Sequence, residues 1–241
     1  MVFIPHHERN LARLQTHFIV ETPQASRLIS YWTRLLLDDR SNHLYDRTMN
    51  RHQDTCQHLL NTGREILAVR GFSSVGLSTI LQQAGVPKGS FYHYFKSKES
   101  FGQAVLEDYF VGYMENLEAR FNDSSQPALD RLMSYWHNWQ QQYCGPAGLK
   151  DCLVVKLSAE VADLSEAMRL TLRNGTDRII GGITQCVEAA IAEGSLPDQN
   201  ARQLAISLYQ LWLGASLLTK LHRDDQHMAY AMAFTQGLVT G

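Results

Sequence analysis

The sequence has no apolar run approaching the length of a membrane span, so no membrane role is expected. Its start lacks a basic region followed by an apolar core and a small-residue cleavage site, so no export signal is expected either. Cysteine is scarce: Cys56, Cys144, Cys152 and Cys186 are widely spaced and form no CxxC pair. That argues against a disulfide framework and suits a reducing cytoplasm. No run alternates as a strand would, and no internal repeat is visible. His137, Cys144 and Cys152 match no tight zinc spacing, so neither metal nor cofactor is expected. No Cys-His pairing or oxyanion signature accompanies the thiols, so a thiol enzyme is a remote reading and the chain is expected not to be an enzyme.

What is present is helical and unevenly charged. The 241 residues are 44% hydrophobic, ordinary for a globular chain with one large core or two modest ones. The net charge of −2 hides +1 over residues 1–48, +3 over 49–100 and −6 over 101–241. A small basic segment before a larger acidic one fits a DNA-binding head on a regulatory body. Residues 1–48 carry four of the ten histidines and no sustained period. They are expected to be a disordered arm or a translated upstream region before a natural start at Met49. The head is placed at 49–100 and the regulatory and dimerisation domain at 101–241.

In the head, residues 52–70 read as a first helix stopped by Gly71. A short second helix, capped by Ser78, runs to Ala84 and ends at Gly85. Pro87 opens the next helix, and Ser97 caps a longer one over 98–121. Further helices are expected near 127–143, 151–169, 172–193, 198–221 and 225–239, separated by Gly, Pro, Asn, Asp and Ser clusters. The fold class is all-α.

The stretch from Ala84 to Glu99 holds a glycine turn, a proline helix start, two small residues, an aromatic run and three lysines. Gly89 and Ser90 would let a helix backbone approach a groove. Lys88, Ser90, Tyr92, His93 and Tyr94 supply donors for phosphates and base edges. Phe91 and Phe95 are four apart and share a face that packs inward. Ser97 and Lys98 open the next helix, where free amides suit a phosphate.

Gly85-Val86-Pro87-Lys88-Gly89-Ser90-Phe91-Tyr92-His93-Tyr94-Phe95-Lys96-Ser97-Lys98-Glu99 resembles the signature of the tetracycline-repressor (TetR) family. The resemblance implies an all-helical homodimer with an N-terminal three-helix helix-turn-helix head and a C-terminal helical ligand and dimerisation body. It implies an operator of double-stranded DNA with an inverted repeat, contacted by Ser78, Thr79, Lys88, Ser90, Tyr92, His93 and Lys98. The body, from Cys152 through Val161 with Asp163-Leu164-Ser165, and again from Leu211 to Ala215 with Lys220, is similar to a branch that answers electrophiles through a cysteine. The resemblance fails over residues 1–48. Where a second cysteine might sit in that branch, this chain has Ala162, which puts a vicinal-thiol mechanism in doubt.

Cys152 follows a Gly-Pro-Ala-Gly break and Asp151, a good N-cap, which predicts a place in the first turn of a helix. Partial positive charge there favours thiolate, and Lys156 can share its face. A thiolate would attack a quinone, aldehyde or maleimide, or be oxidised to a sulfenic acid. The capturing nitrogen is Lys220 if the resemblance is followed and Lys156 if local spacing is. Cys152 as a buried small hydrophobe is the competing reading. Cys144, before the loop, is a candidate resolving thiol; Cys186 reads as core and Cys56 as inert. Tyr135, Trp136, Trp139 and Tyr143 read as core or as the wall of a pocket for a reversible aromatic ligand. Gly181-Gly182 permits close helix packing or a bend. Leu208, Leu211, Trp212, Ala215, Leu218, Met228, Ala231, Met232 and Leu238 suggest a four-helix subunit interface, or a core within one subunit.

Overall fold

The computed structural model describes residues 39–144 and 152–240. Within them the chain forms nine α-helices and no strand: α1 (Asp39–Arg70), α2 (Leu77–Ala84), α3 (Lys88–Tyr94), α4 (Lys98–Phe121), α5 (Ala128–Tyr143), α6 (Leu153–Ala162), α7 (Glu166–Ala192), α8 (Ala201–His222) and α9 (Gln226–Thr240). Contacts divide the chain into a unit ending at Asp54 and a compact unit from Thr55 to Gly241. Of the first, the described part is the opening of α1. Residues 1–38, with most of the expected N-terminal extension, lie outside the described residues, as do Lys150 and Asp151.

α1 starts at Asp39, ahead of both Met49 and the expected start at 52. It stops where expected: Gly71 takes φ +81°, and its amide bonds to Leu67 O at 2.9 Å. α2 is entered through Gly76 rather than capped by Ser78, which lies inside the helix. Gly85 ends α2 in the left-handed region at φ 63°. Ser97 caps α4 in a reciprocal pair: its Oγ accepts Ser100 N at 3.0 Å, while Ser97 N donates to Ser100 Oγ at 3.0 Å.

The head core gathers Leu59, Leu67, Ile80, Phe91 and Phe101, all fully buried. Phe91, Phe95 and Phe101 pack with centroids 5.0–5.4 Å apart. Burying each ring stabilises the head by about 1.5–3 kcal/mol. α4 runs unbroken through the expected boundary at 100. Its first turns close the head core through Phe101 and Val105, and its later turns reach α7, where Phe110 lies against Gly175. One continuous helix is therefore shared by head and body.

The break between α6 and α7 falls at Asp163–Ser165, not between 169 and 172. Ser165 caps α7 by accepting Met168 N, which starts the long helix one to two turns early. Of the glycine pair, Gly182 marks close packing: a Cβ there would meet Leu117 Cδ2 at 2.7 Å, whereas Gly181 has nothing within 4 Å. The α5 aromatics are core. Trp136 stacks on Trp212 of α8 at 5.1 Å and 18°, and Trp139 Nε1 donates to Ser216 Oγ at 3.0 Å.

α8 is by length and composition apolar enough to cross a membrane, which the sequence reading overlooked. Its buried stripe packs within the body: Trp212 Nε1 donates to Thr235 Oγ1 of α9 at 3.0 Å. Leu208, Trp212, Ala215, Met228, Ala231 and Met232 belong to this internal core rather than to an interface. Other apolar residues are left outside. Leu217, Leu218 and Leu221 of α8, with Tyr230 and Phe234 of α9, are exposed, and Gly214 and Gly237 on the same stripes face open space.

Candidate functional site

The first candidate surface is α3. Phe91 faces inward with no exposed area, which turns Lys88, Gly89, Tyr92 and His93 outward; Ser90 and Tyr94 are half-buried. Lys88 Nζ stands 6.0 Å from the Tyr92 ring centroid. A Cβ at Gly89 would meet nothing within 4 Å. Neither internal packing nor an unusual φ therefore demands glycine there, while a partner's close approach would. Ser78 is exposed and Thr79 half-buried, both at the start of α2. Lys98 is different. Its ammonium donates to Phe72 O at 2.6 Å and lies 4.2 Å over the Phe72 ring. Burial lowers its pKa, while the Glu160 carboxylate opposes that shift. Its side chain is turned to the head's own corner.

The second candidate surrounds Cys152. Here the structure departs from expectation: Cys152 is the N-cap of α6, with φ −80° and ψ 93°, rather than a first-turn residue. Its carbonyl accepts Lys156 N at 3.1 Å. The thiol is half-buried and free. Lys220 comes from α8 into its electrostatic reach, and Lys156 is close enough to act on Lys220. Burial lowers the Lys220 pKa, repulsion from Lys156 lowers it further, and Cys152 pulls the other way. The net direction increases the neutral, nucleophilic amine at a given pH. Lys156 faces both Lys220 and Glu160.

Four tyrosines complete the surroundings. Burial holds the hydroxyls of Tyr109, Tyr113, Tyr143 and Tyr209 above the ordinary phenol pKa, and Cys152 lies near enough to each to add to that shift. Tyr109 and Tyr113 are half-buried as residues, but it is their hydroxyl ends that are desolvated. Tyr113 and Tyr135 share a hydroxyl–hydroxyl bond of 2.6 Å. The buried Tyr143 hydroxyl has no partner in hydrogen-bond geometry, although Cys152 and Ser216 are near enough to bias its titration. Sequence reading named none of Tyr109, Tyr113 and Tyr209, because they come from α4 and α8 and meet only in the fold.

The remaining thiols differ. Cys144 caps the end of α5, and burial, then Asp225, raises its pKa. Its polar neighbour is thus Asp225. Cys186 is buried, donates to Ala128 O at 3.4 Å and is pushed up to about 11 by burial. Burial, then Asp108, raises the Cys56 thiol. His137 is exposed and bonds through Nδ1 to Met133 O at 2.8 Å. Among the described residues no three His, Cys, Asp or Glu side chains are grouped to hold a metal ion.

Comparison with known proteins matches both head and body. Residues 59–105 match the family model for bacterial regulatory proteins of the tetR family, and residues 125–235 match the tetracyclin repressor-like C-terminal domain. The HTH-type transcriptional repressor NemR of Escherichia coli is 40% identical over 194 residues, covering 79% of this chain and 98% of that protein. The transcriptional regulator AcuR of Cereibacter sphaeroides is 34% identical over 186 residues, covering 76% and 85%. The crystal structure of E. coli NemR in its reduced form superimposes with a TM-score of 0.74, covering 77% of this chain and 97% of that one. With head and body both matched, the chain belongs to the TetR family of bacterial transcriptional regulators.

Proposed function

We propose that this protein is a homodimeric repressor that leaves an inverted-repeat operator when Cys152 is modified by an electrophile or oxidant. The single observation that carries the reading is the company Cys152 keeps: a half-buried thiol at a helix start, with the amine of Lys220 and four buried tyrosine hydroxyls within electrostatic range. A soft electrophile adds to the sulfur. A peroxide converts the thiolate to a sulfenic acid and leaves hydroxide; attack by neutral Lys220 then forms an S–N bond and releases water. The unpaired Tyr143 hydroxyl suits the oxygen of a carbonyl-bearing inducer, which would supply its missing acceptor.

Operator binding falls to α3. Lys88, Gly89, Tyr92 and His93 are the outward groups, and Ser78, Thr79, Ser90 and Tyr94 flank them; the Lys98 ammonium, expected among them, is turned to the Phe72 carbonyl instead. Dimerisation falls to the exposed stripes of α8 and α9, where Leu217, Leu221, Tyr230 and Phe234 offer two apolar helix faces to a second copy. A Cys152→Ser variant tests the sensor. Wild type should release operator DNA on treatment with a maleimide or peroxide, and the variant should hold it. A variant that releases like wild type removes Cys152 from the mechanism and favours a reversible ligand among the α5 aromatics.

A further inference from the structure

Tyr143 ends α5 with its ring buried in the body and its hydroxyl shut from water, and that hydroxyl bonds to nothing. A buried donor left unmade costs stability, so its place calls for a reason. Its polar neighbour Ser216 does not supply one. Ser216 Oγ accepts Trp139 Nε1 at 3.0 Å and spends its own proton on Trp212 O at 2.7 Å. The ring is held firmly: Trp139 stacks on it at 6.4 Å and 21°. The hydroxyl is therefore fixed in position with its proton uncommitted. Burial keeps it well above the ordinary phenol range, so it stays a donor.

Packing aims this donor at the thiol. α5 and α8 run side by side in the same direction, with Trp136 stacked on Trp212 and Trp139 bonded to Ser216. One turn further along each helix stand Tyr143 on α5 and Lys220 on α8, on the faces that Trp139 and Ser216 already share. Cys152, which opens α6, is near enough to bias both.

We infer that Tyr143 is a catalytic residue of the sensor: its hydroxyl donates to the oxygen of a carbonyl conjugated with a C=C bond while Cys152 adds to that bond, and so makes the thiol selective for conjugated carbonyls over electrophiles without an acceptor oxygen. The inference rests on the sensor reading in taking Cys152 as the reacting thiol; it does not need operator release. In the step the thiol gives its proton to solvent and the sulfur forms a bond to the β-carbon. The C=C electron pair moves through the conjugated system onto the carbonyl oxygen, where the charge gathers against the Tyr143 hydroxyl. The resulting enolate takes a proton at its α-carbon from water, leaving a thioether and an intact carbonyl. Nothing is oxidised or reduced by an outside partner. The hydrogen bond strengthens as the charge develops, in a site with little water to screen it, so it lowers the barrier more than it tightens binding. An alkyl halide develops no charge on oxygen and gains nothing from it.

The test uses the full chain, wild type and Tyr143→Phe, which removes only the hydroxyl. Methyl vinyl ketone and allyl bromide are the probes, similar in size, the second without an acceptor oxygen. The rate of Cys152 modification is read by mass mapping of its peptide, so that the other thiols do not interfere. Tyr143→Phe should slow the ketone about tenfold or more, a modest share of what one oxyanion donor contributes, and change the bromide less than about twofold. Its urea midpoint should be no lower than that of wild type, because the lost hydroxyl had no partner. A ketone rate within about twofold of wild type overturns the inference. Equal slowing of both probes overturns it too, since Tyr143 would then only shape the surroundings of the thiol. So does a wild-type Cys152 that resists both probes, or a lower urea midpoint, which would mean that the hydroxyl is paired in the free protein. If wild type modified by the ketone keeps its operator, the sensor reading falls, while the ratio of the two rates still decides the role of Tyr143.

Discussion

Replacing Gly175 by alanine sets two effects of opposite sign against each other. Alanine in a helix interior is favoured over glycine by about 1 kcal/mol. Against that, a Cβ at Gly175 would lie 2.3 Å from Phe110 Cζ and 2.4 Å from both of its Cδ atoms. Carbon atoms in contact settle near 3.5–4.0 Å, so the ring would have to retreat by more than about 1 Å. Phe110 is 2% exposed and sits on α4, the helix shared by head and body, so it has no free space to enter. Overpacking of this kind costs about 1–3 kcal/mol, and the overlap puts this case at the upper end. The net expectation is a loss of about 2 kcal/mol. Gly181 on the same helix has nothing within 4 Å, so Gly181→Ala should gain up to about 1 kcal/mol. Urea denaturation of both variants at one protein concentration reads the difference directly. A Gly175→Ala protein as stable as wild type, or more so, would show that the close approach of α4 and α7 does not constrain this position.

Further outcomes follow from other parts of the fold. Phe91→Ala should destabilise the head by about 3–5 kcal/mol, seen as an early loss of helicity on heating. Leu221→Asp places a charge on the exposed α8 stripe and should shift the protein toward monomer in sedimentation, with weaker operator binding. Lys220→Met should leave maleimide-driven release intact, yet abolish the loss of about 2 Da that accompanies S–N bond formation after peroxide. Because the Glu160 carboxyl, which accepts the amides of Phe72 and Ser73, is held below its ordinary pKa, its contribution is fully present above the unfolded value and fades as pH falls through the lowered one. Exchange at Phe72 and Ser73 should therefore rise as pH falls below the ordinary carboxylate value of 4.5, beyond its intrinsic pH dependence, and not in Glu160→Gln.

The head was legible because its signals are local. Gly71, Gly85 and Ser97 mark boundaries by backbone geometry, and Phe91 with Phe95 fixes the inward face of α3. The body was harder where the choice depends on distant partners. α8 and α9 are apolar on more than one face, and periodicity does not say which stripe meets α7. The sequence groups Leu208 and Trp212 with Leu218 as one apolar set, an interface or a core, whereas Leu208 and Trp212 are core and the outside stripe runs through Leu217, Leu218 and Leu221. The α6–α7 break was missed although Ser165-Glu166 is a cap signal, because Met168 and Leu172 continue the apolar pattern beyond it. Lys220 entered only through family resemblance. Glu160 had no signal at all: a carboxylate that binds backbone amides nearly ninety residues away leaves no spacing to read.

The central claim is that the state of one thiol decides operator occupancy. The direct measurement is a maleimide titration of the operator-bound protein, quenched in steps, with bound DNA and the modification of each of the four cysteines read from the same samples. The account predicts that release follows Cys152 modification in proportion, with buried Cys186 unmodified throughout the release. Release while Cys152 remains free, or full occupancy with Cys152 fully modified, would contradict it.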